Sequence, residues 1–279
     1  MKKFLLILTL VVMALSGCVD KGLDAKDPKA LMADSGKNLS SYRFVTETVQ
    51  EIRAIENSTE APTIAIRSLD EGAVNLTAQN MSISTRKNAS SGLEALPSMQ
   101  RDIYIIRDMA KIKLDGSWSQ ASLQDPKYFW ARQNISEKQA MSLNQSKLAL
   151  SGSGMVDGLD CNLINVTPDM QAYESMLFEQ LGSMLPLDYI NFTKLYNSSD
   201  VNWTLWISKD DGMLRLENVE MVFSVTPDMI ELPSDQIGDF LIKIKLNATT
   251  HYGDYNQPVV ITLPEGQMLE PIIQCACNR

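Results

Sequence analysis

In the stretch FLIKIKLNATT, residues 240–250, Phe240, Ile242, Ile244, Leu246 and Ala248 alternate with Lys243, Lys245, Asn247 and Thr249. A period of two puts the apolar set on one face of a strand and the polar set on the other. The same alternation runs through residues 201–208, where Val201, Trp203, Leu205 and Ile207 interleave with Asn202, Thr204, Trp206 and Ser208. Asp210-Asp211-Gly212 then turns the chain into a second run ending at Val225, which predicts a hairpin over 201–225. SYRFVTETVQEIRAI predicts a long strand from Tyr42. Further strands are expected near 63–69, 73–86 and 101–107, with a bulge at Gln79–Asn80 where the polar phase slips. MAKIKLDGSWSQASL reads as two short strands about an Asp115-Gly116 turn. DGLDCNLINVTPD reads as another strand, and PVVITLP closes the series after a strand over 239–251.

Helical signals are fewer. Asp27 as N-cap, with Pro28 in the first turn, starts a helix through Leu31 and Met32 toward Leu39. Pieces over 125–132 and 136–148 follow, the second opening on a Ser136-x-x-Gln139 capping box. A helix over 168–185 presents an apolar face of Met170, Tyr173, Leu177, Leu181 and Met184, with Met176 alongside. Strands dominate and helices interrupt them in the middle. The fold class is α+β, built on an antiparallel sheet with one face in solvent.

The N-terminus changes the setting. Lys2 and Lys3 precede a twelve-residue apolar run, Phe4 to Leu15. A membrane-spanning helix needs about 20 residues, so the run reads as a secretory signal. Leu15-Ser16-Gly17-Cys18 resembles the lipobox of exported lipoproteins, in which the signal is cut before a cysteine that is then lipidated. Residues 1–17 are thus the expected signal, Cys18 the lipid anchor, and 18–27 a polar tether. One domain is expected over 28–270, with a Cys-x-Cys tail over 271–279. Loss of Lys2 and Lys3 removes two of 25 Lys plus Arg against 34 Asp plus Glu, so the exported chain is acidic. Phosphate backbones repel such a surface, which argues against a nucleic-acid partner.

Twelve of the sixteen asparagines open an Asn-x-Ser/Thr triplet, far beyond what the Ser and Thr content gives by chance. They are Asn38, Asn57, Asn75, Asn80, Asn88, Asn134, Asn144, Asn165, Asn191, Asn197, Asn202 and Asn247. Asn165 is the weakest because Pro168 follows its triplet. Together they predict an exported, heavily N-glycosylated surface. In combination with the lipobox they point to an archaeal-type envelope protein on the outer face of the cytoplasmic membrane.

Several stretches carry a family resemblance: NLSSYRF after a first helix, KIKLDGSWSQ, GLDCNLINVTPD, NWTLWISKDDGMLRLENVEMVF, and NQPVVITLPEG as a closing strand. In this order they resemble the LolA/LppX-like superfamily of lipoprotein and lipid carriers, over about residues 28 to 270. The resemblance implies a curved antiparallel half β-barrel with helices plugging its concave face, and a lipid or other apolar ligand between the two. Soluble carriers of that family lack a lipid anchor, and the tether at Cys18 departs from them.

Other chemistry is thin. His251 is the only histidine. No metal-ligand spacing surrounds it, and no Gly-x-Ser-x-Gly elbow offers it a nucleophile. Asp157, Asp160, Asp169, Asp210 and Asp211 are explained by turns. No enzyme activity, metal or cofactor is expected. Outside the cell, Cys161 is expected to pair with Cys275 or Cys277. A Cys-x-Cys metal site at the tail is the lesser alternative. The face Met170, Tyr173, Met176, Leu177, Leu181 and Met184 reads as core packing or as the adaptable wall of an apolar cavity. The expected function is an anchored lipoprotein that sequesters or hands off an apolar ligand. The rival is an envelope structural or protein-interaction module with a filled core.

Overall fold

The structure, a computed structural model, describes residues 38–92, 94–135, 143, 146–170, 172–174, 177, 189–230, 238–263 and 270–271. Its strands are β1 (Ser41–Glu56), β2 (Thr59–Glu60), β3 (Ile64–Asn75), β4 (Asn80–Ser91), β5 (Glu94–Ile106), β6 (Met109–Leu114) and β7 (Ser117–Ser122). They continue with β8 (Lys147–Val156), β9 (Leu159–Thr167), β10 (Asp200–Ser208), β11 (Leu214–Val225), β12 (Phe240–Gly253) and β13 (Glu270–Pro271). Two short helices are α1 (Pro126–Arg132) and α2 (Phe192–Asn197). Residues 170, 172–174 and 177 are also helical, and a 3-10 turn spans Pro227–Met229.

All strands join one 13-stranded sheet in the order β13-β7-β6-β5-β4-β3-β1-β12-β11-β10-β9-β8, with β2 on the end of β1. Every pairing is antiparallel except that of β13 with β7. The ends of this path, β8 and β13, are not paired to each other among the described residues, so the sheet is open. A twisted open sheet of this width does not stay flat and curls. β1 and β12 meet at its centre over fourteen paired residues, from Arg43↔Gly253 to Glu56↔Phe240. On either side most neighbours in space follow one another in sequence, although residues 168–199 separate β9 from β10 and β13 reaches β7 from the far end of the chain. Asp115-Gly116 and Asp157-Gly158 both take positive φ at their two central residues, the geometry whose twist matches paired strands.

The alternation of residues 240–250 holds. Phe240, Ile242, Ile244, Leu246 and Ala248 share one face with Phe44, Ile52, Val219, Met221 and Phe223 through the β1 and β11 registers. This is the core face: its residues join one buried cluster with Trp130 of α1, Leu195 of α2, Tyr173 and Leu177. The hairpin over 201–225, the strand from residue 41 or 42, and the pair about Asp115-Gly116 form as expected.

Other expectations fail for local reasons. The strand expected over 73–86 is two strands. β3 stops at Asn75, whose Oδ1 accepts the Ala78 amide at 2.8 Å, and Gln79 turns at φ 52°. The slip in polar phase marks a hairpin, not a bulge. The helix expected to reach residue 148 yields to β8 at Lys147. PVVITLP forms no strand over 258–263. The Val259 carbonyl accepts from Asn75 Nδ2 at 3.1 Å, while Val260 stands 83% exposed. The helix expected from Asp27 and most of that over 136–148 lie outside the described residues. No metal-holding cluster and no helix fit to cross a membrane occurs among the described residues.

Tyrosines pin the sheet to what covers it. Tyr42 stacks obliquely on Tyr252 and Tyr255, each at 6.4 Å between ring centroids, and donates to the Gln133 carbonyl at 2.9 Å. Burial pushes the hydroxyls of Tyr42, Tyr252 and Tyr255 far above the ordinary 10.0. Burial, opposed in part by a hydrogen bond with Ser199, pushes Tyr173 up to about 12. A proton held more tightly by the folded chain stabilises it while the unfolded chain is also protonated. That contribution is intact below pH 10 and is lost as pH rises toward the folded-state values. Alkaline titration should therefore show these four of the eight tyrosines ionising together with loss of circular dichroism. Ionisation of all eight near pH 10 with the fold intact would contradict this burial.

Candidate ligand-binding face

The core face differs between its two wings. On β9–β12 most of it is filled: Ile164, Val166, Trp203, Leu205, Ile207, Val219, Met221, Phe223, Val225, Ile244 and Leu246 are all buried, and Val201, Phe240 and Ile242 toward the strand ends are partly accessible. Glu217 ties this wing together. One carboxylate oxygen accepts from Trp203 Nε1 at 2.9 Å and the other from the Tyr252 hydroxyl at 3.0 Å, joining β10, β11 and β12.

The residues expected to line a cavity from helix 168–185 fall partly here. Tyr173 and Leu177 are fully buried in the cluster, and Met170 is half-buried. Tyr173 meets Tyr196 of α2 edge-on at 5.2 Å and shares a hydrogen bond with Ser199. Tyr196 in turn donates to the Pro168 carbonyl at 2.8 Å. Met176, Leu181 and Met184 lie outside the described residues.

The wing of β1 and β3–β6 is only half covered. At the end near α1, Val74, Met81, Ile105 and Ala110 are buried beside Tyr42. α1 is fastened there by Trp130 Nε1 donating to the Arg107 carbonyl at 2.7 Å. One residue pair further along the strands, Ile83, Ile103 and Ile112 form a row across β4, β5 and β6 and remain partly accessible. Beyond them Leu114 is 46% exposed and Leu96 is 41% exposed. Leu114 continues a polar row, Thr250, Thr46, Asp70, Thr85 and Arg101, in register across five strands. Thr85 donates to Asp70 at 2.6 Å, and Thr46 and Thr250 share a bond of 3.0 Å. A separate cleft of about 670 Å³ opens between the end of β7 and α1, lined by Ser122, Leu123, Gln124, Asp125, Tyr128, Phe129, Arg132 and Gln133.

The opposite face carries the triplet asparagines. Asn75, Asn80, Asn88, Asn165, Asn202 and Asn247 lie in strands, and register puts every one of them away from the core. Asn202, Glu220, Asn247, Val49, Arg67 and Asn88 form a single row across that face. Residues i and i+2 of a strand share a face, so the Ser or Thr of Asn88, Asn165, Asn202 and Asn247 points outward with its asparagine. Asn162, which opens no triplet, is on the core face and buried. Accessibility separates the candidates. Asn38, Asn57, Asn88, Asn165, Asn197 and Asn202 are exposed, whereas Asn134 and Asn247 are half-buried. Asn75 spends its amide on Val259, Asn80 Oδ1 is buried, and Asn191 caps α2 through the Lys194 amide at 3.1 Å. Asn144 lies outside the described residues.

Cys161 sits in β9, buried and unbridged among the described residues, its Sγ 3.5 Å from the Leu159 carbonyl. Burial pushes its thiol up, against the pull of Arg215. Cys275 and Cys277 lie outside the described residues, as does Cys18. The segment leading toward the tail cysteines, Glu270–Pro271, pairs with β7, at the opposite edge of the sheet from β9. His251 is half-exposed with Nδ1 3.8 Å from Asp157.

No protein-family model and no curated protein matches the chain. Among solved structures it is similar to LprF from Mycobacterium bovis, at 15% identity and a TM-score of 0.42, over 86% of this chain and 97% of that one. It is similar to the lipoprotein LppX of Mycobacterium tuberculosis at 16% identity and a TM-score of 0.39, over 85% and 100%. A LolA superfamily protein from Nitrosomonas europaea matches at 9% identity and a TM-score of 0.18, over 85% and 94%.

Proposed function

We propose that this chain is a membrane-anchored, N-glycosylated extracellular lipoprotein that binds a lipid or other apolar ligand on the core face of β3–β6. It sequesters or transfers that ligand without bond chemistry. One observation carries the reading: the β9–β12 wing is mostly filled, while the row Ile83, Ile103 and Ile112, with Leu114 beyond it, is left partly open. Apolar surface left accessible beside a filled core is unfavourable in water and favourable under an acyl chain. Anchoring rests on Cys18 after its apolar leader, and glycosylation on Asn88, Asn165 and Asn202, the strand asparagines exposed on the outer face.

Energetics set the mode of exchange. A sixteen-carbon chain in a membrane is stabilised by roughly 13 kcal/mol, at about 0.8 per CH₂. A transfer protein must come near that figure without greatly exceeding it. A half-covered wing, able to shield a chain yet release it, meets both demands. The test is binding of a fluorescent fatty-acyl probe to the lipid-stripped mature protein. Binding is expected at micromolar concentration, and Leu114→Asp, at a position open enough to accept the charge, should weaken it at least about tenfold. A folded protein that takes up no probe would leave the filled wing as the whole core, and the envelope structural or protein-interaction module as the function.

A further inference from the structure

We propose that Lys87 and Arg101 form a headgroup site for an anionic amphiphile, a lipid carboxylate or phosphate whose chain lies along the β3–β6 wing. The inference rests on the ligand-binding reading above and adds the class of ligand. Lys87 is opposite Met99, and Arg101 opposite Thr85, so both cations stand on the core face as diagonal neighbours on β4 and β5. Such neighbours are about 7–8 Å apart, within reach of two long side chains converging on one anion. Each is partly buried, and neither has an ion-pair partner among the described residues. Arg101 Nε is buried without a hydrogen-bond partner.

Arginine and lysine are rarely taken out of water without a counter-charge. On the same face, Asp70 is diagonal to Lys87 and already holds the Thr85 hydroxyl at 2.6 Å. The other carboxylate of β3–β6 on this side, Glu94, is exposed at the far rim. The pair therefore keeps an excess of positive charge. The register also shifts between Lys87 and Ala89, with Pro97 and Ser98 as the looped-out part of β5. Bulges of this kind re-aim the side chains beside them.

Ser68, Asp70 and Thr85 flank the cations on β3 and β4, and the remaining neighbours are apolar. Leu114 lies directly across from Arg101, and Leu96 lies past the bulge. On the other side, Ile83 and Ile103 lead to Met81 and Ile105. From Lys87 to Met81 is six residues, about 20 Å of strand, the scale of an extended long acyl chain. A charged head at Lys87 and Arg101 thus has an apolar track beginning beside it. Guanidinium and ammonium together suit a carboxylate or phosphate oxygen cluster.

The experiment compares a fluorescent fatty acid with its methyl ester on the mature protein, with inorganic phosphate as competitor. The acid should bind about tenfold more tightly than the ester, the effect of one charge-assisted contact. Lys87→Gln and Arg101→Gln should each erode that preference, read as the ratio of acid to ester affinity within each variant. Lys87→Arg should retain it. Melting temperature and circular dichroism check that each variant folds, and the ester provides the reference within each. Equal binding of acid and ester, unaltered by either substitution, would overturn the headgroup site and leave the apolar-ligand reading standing. Failure of both probes would overturn that reading as well. Displacement of the acid by inorganic phosphate at similar concentration would overturn the assignment to an amphiphile.

Discussion

Glu217→Ala is expected to lower stability by about 3–5 kcal/mol, since hydrogen bonds to a charged group contribute about 1.5–3 each and two are lost. Of the two donors, Trp203 is buried and Tyr252 half-buried, in a wing whose core-face residues are mostly buried. Removing the carboxylate takes from both donors the acceptor they use, and the cost of an unmade bond exceeds the gain from a made one. In a chain of this size about 2–4 °C of melting temperature accompany each kcal/mol. A fall of roughly 6 °C or more is therefore the expected reading in a thermal melt. Glu217→Gln keeps an acceptor for Trp203 and places an amide that can donate to the Tyr252 oxygen, so most of the loss should be recovered. An alanine variant that melts within a degree of wild type would show that the three strands do not depend on this carboxylate.

The second large effect contrasts two adjacent residues. Phe223 is 1% exposed in the filled wing, and Val222 beside it is 48% exposed on the outer face. Phe223→Ala removes a ring from a packed interior and leaves a cavity, for which about 3–5 kcal/mol is the usual cost. Val222→Ala trims a surface side chain, and about 0.5 kcal/mol is the most it should cost. Denaturant melts of the two variants read the phase of β11 directly. Comparable losses would mean that the strand is buried on both sides, or that its register is wrong.

Much of this phase was legible from residue order, because β10, β12 and the second half of β11 alternate and the hairpin closes through an Asp-Asp-Gly turn. The β3–β6 wing was not. SLDEGAVN and NMSISTRKNASS mix small, polar and charged residues on both faces, so which side Lys87 takes depends on its partner strand. The break after Asn75 carries neither Gly nor Pro; its signal was an asparagine able to accept from the amide three residues on. Asn191 leaves a similar trace, capping a helix of six residues too short for periodicity to show. The apolar face of helix 168–185 reads from residue order as core packing or as a cavity wall, whereas nothing in β1 or β4 marks their polar residues for burial. Yet Thr48, Gln50 and Thr85 are buried on the core face. Polar residues that tie strands to each other look, along a chain, like residues destined for solvent.

The pairing of β1 with β12 sets the order in which the chain can fold. The strands from β3 to β7 and from β8 to β11 join through near neighbours in sequence, whereas β1 and β12 bring together residues about two hundred positions apart. Contacts of that separation are slow to form, because the loop between them must be ordered before they reward it. During synthesis the β1 edge waits, unpaired, until residues 240–253 arrive. Truncation before Phe240 would leave two half-sheets, each with a long open edge ready to pair with another copy.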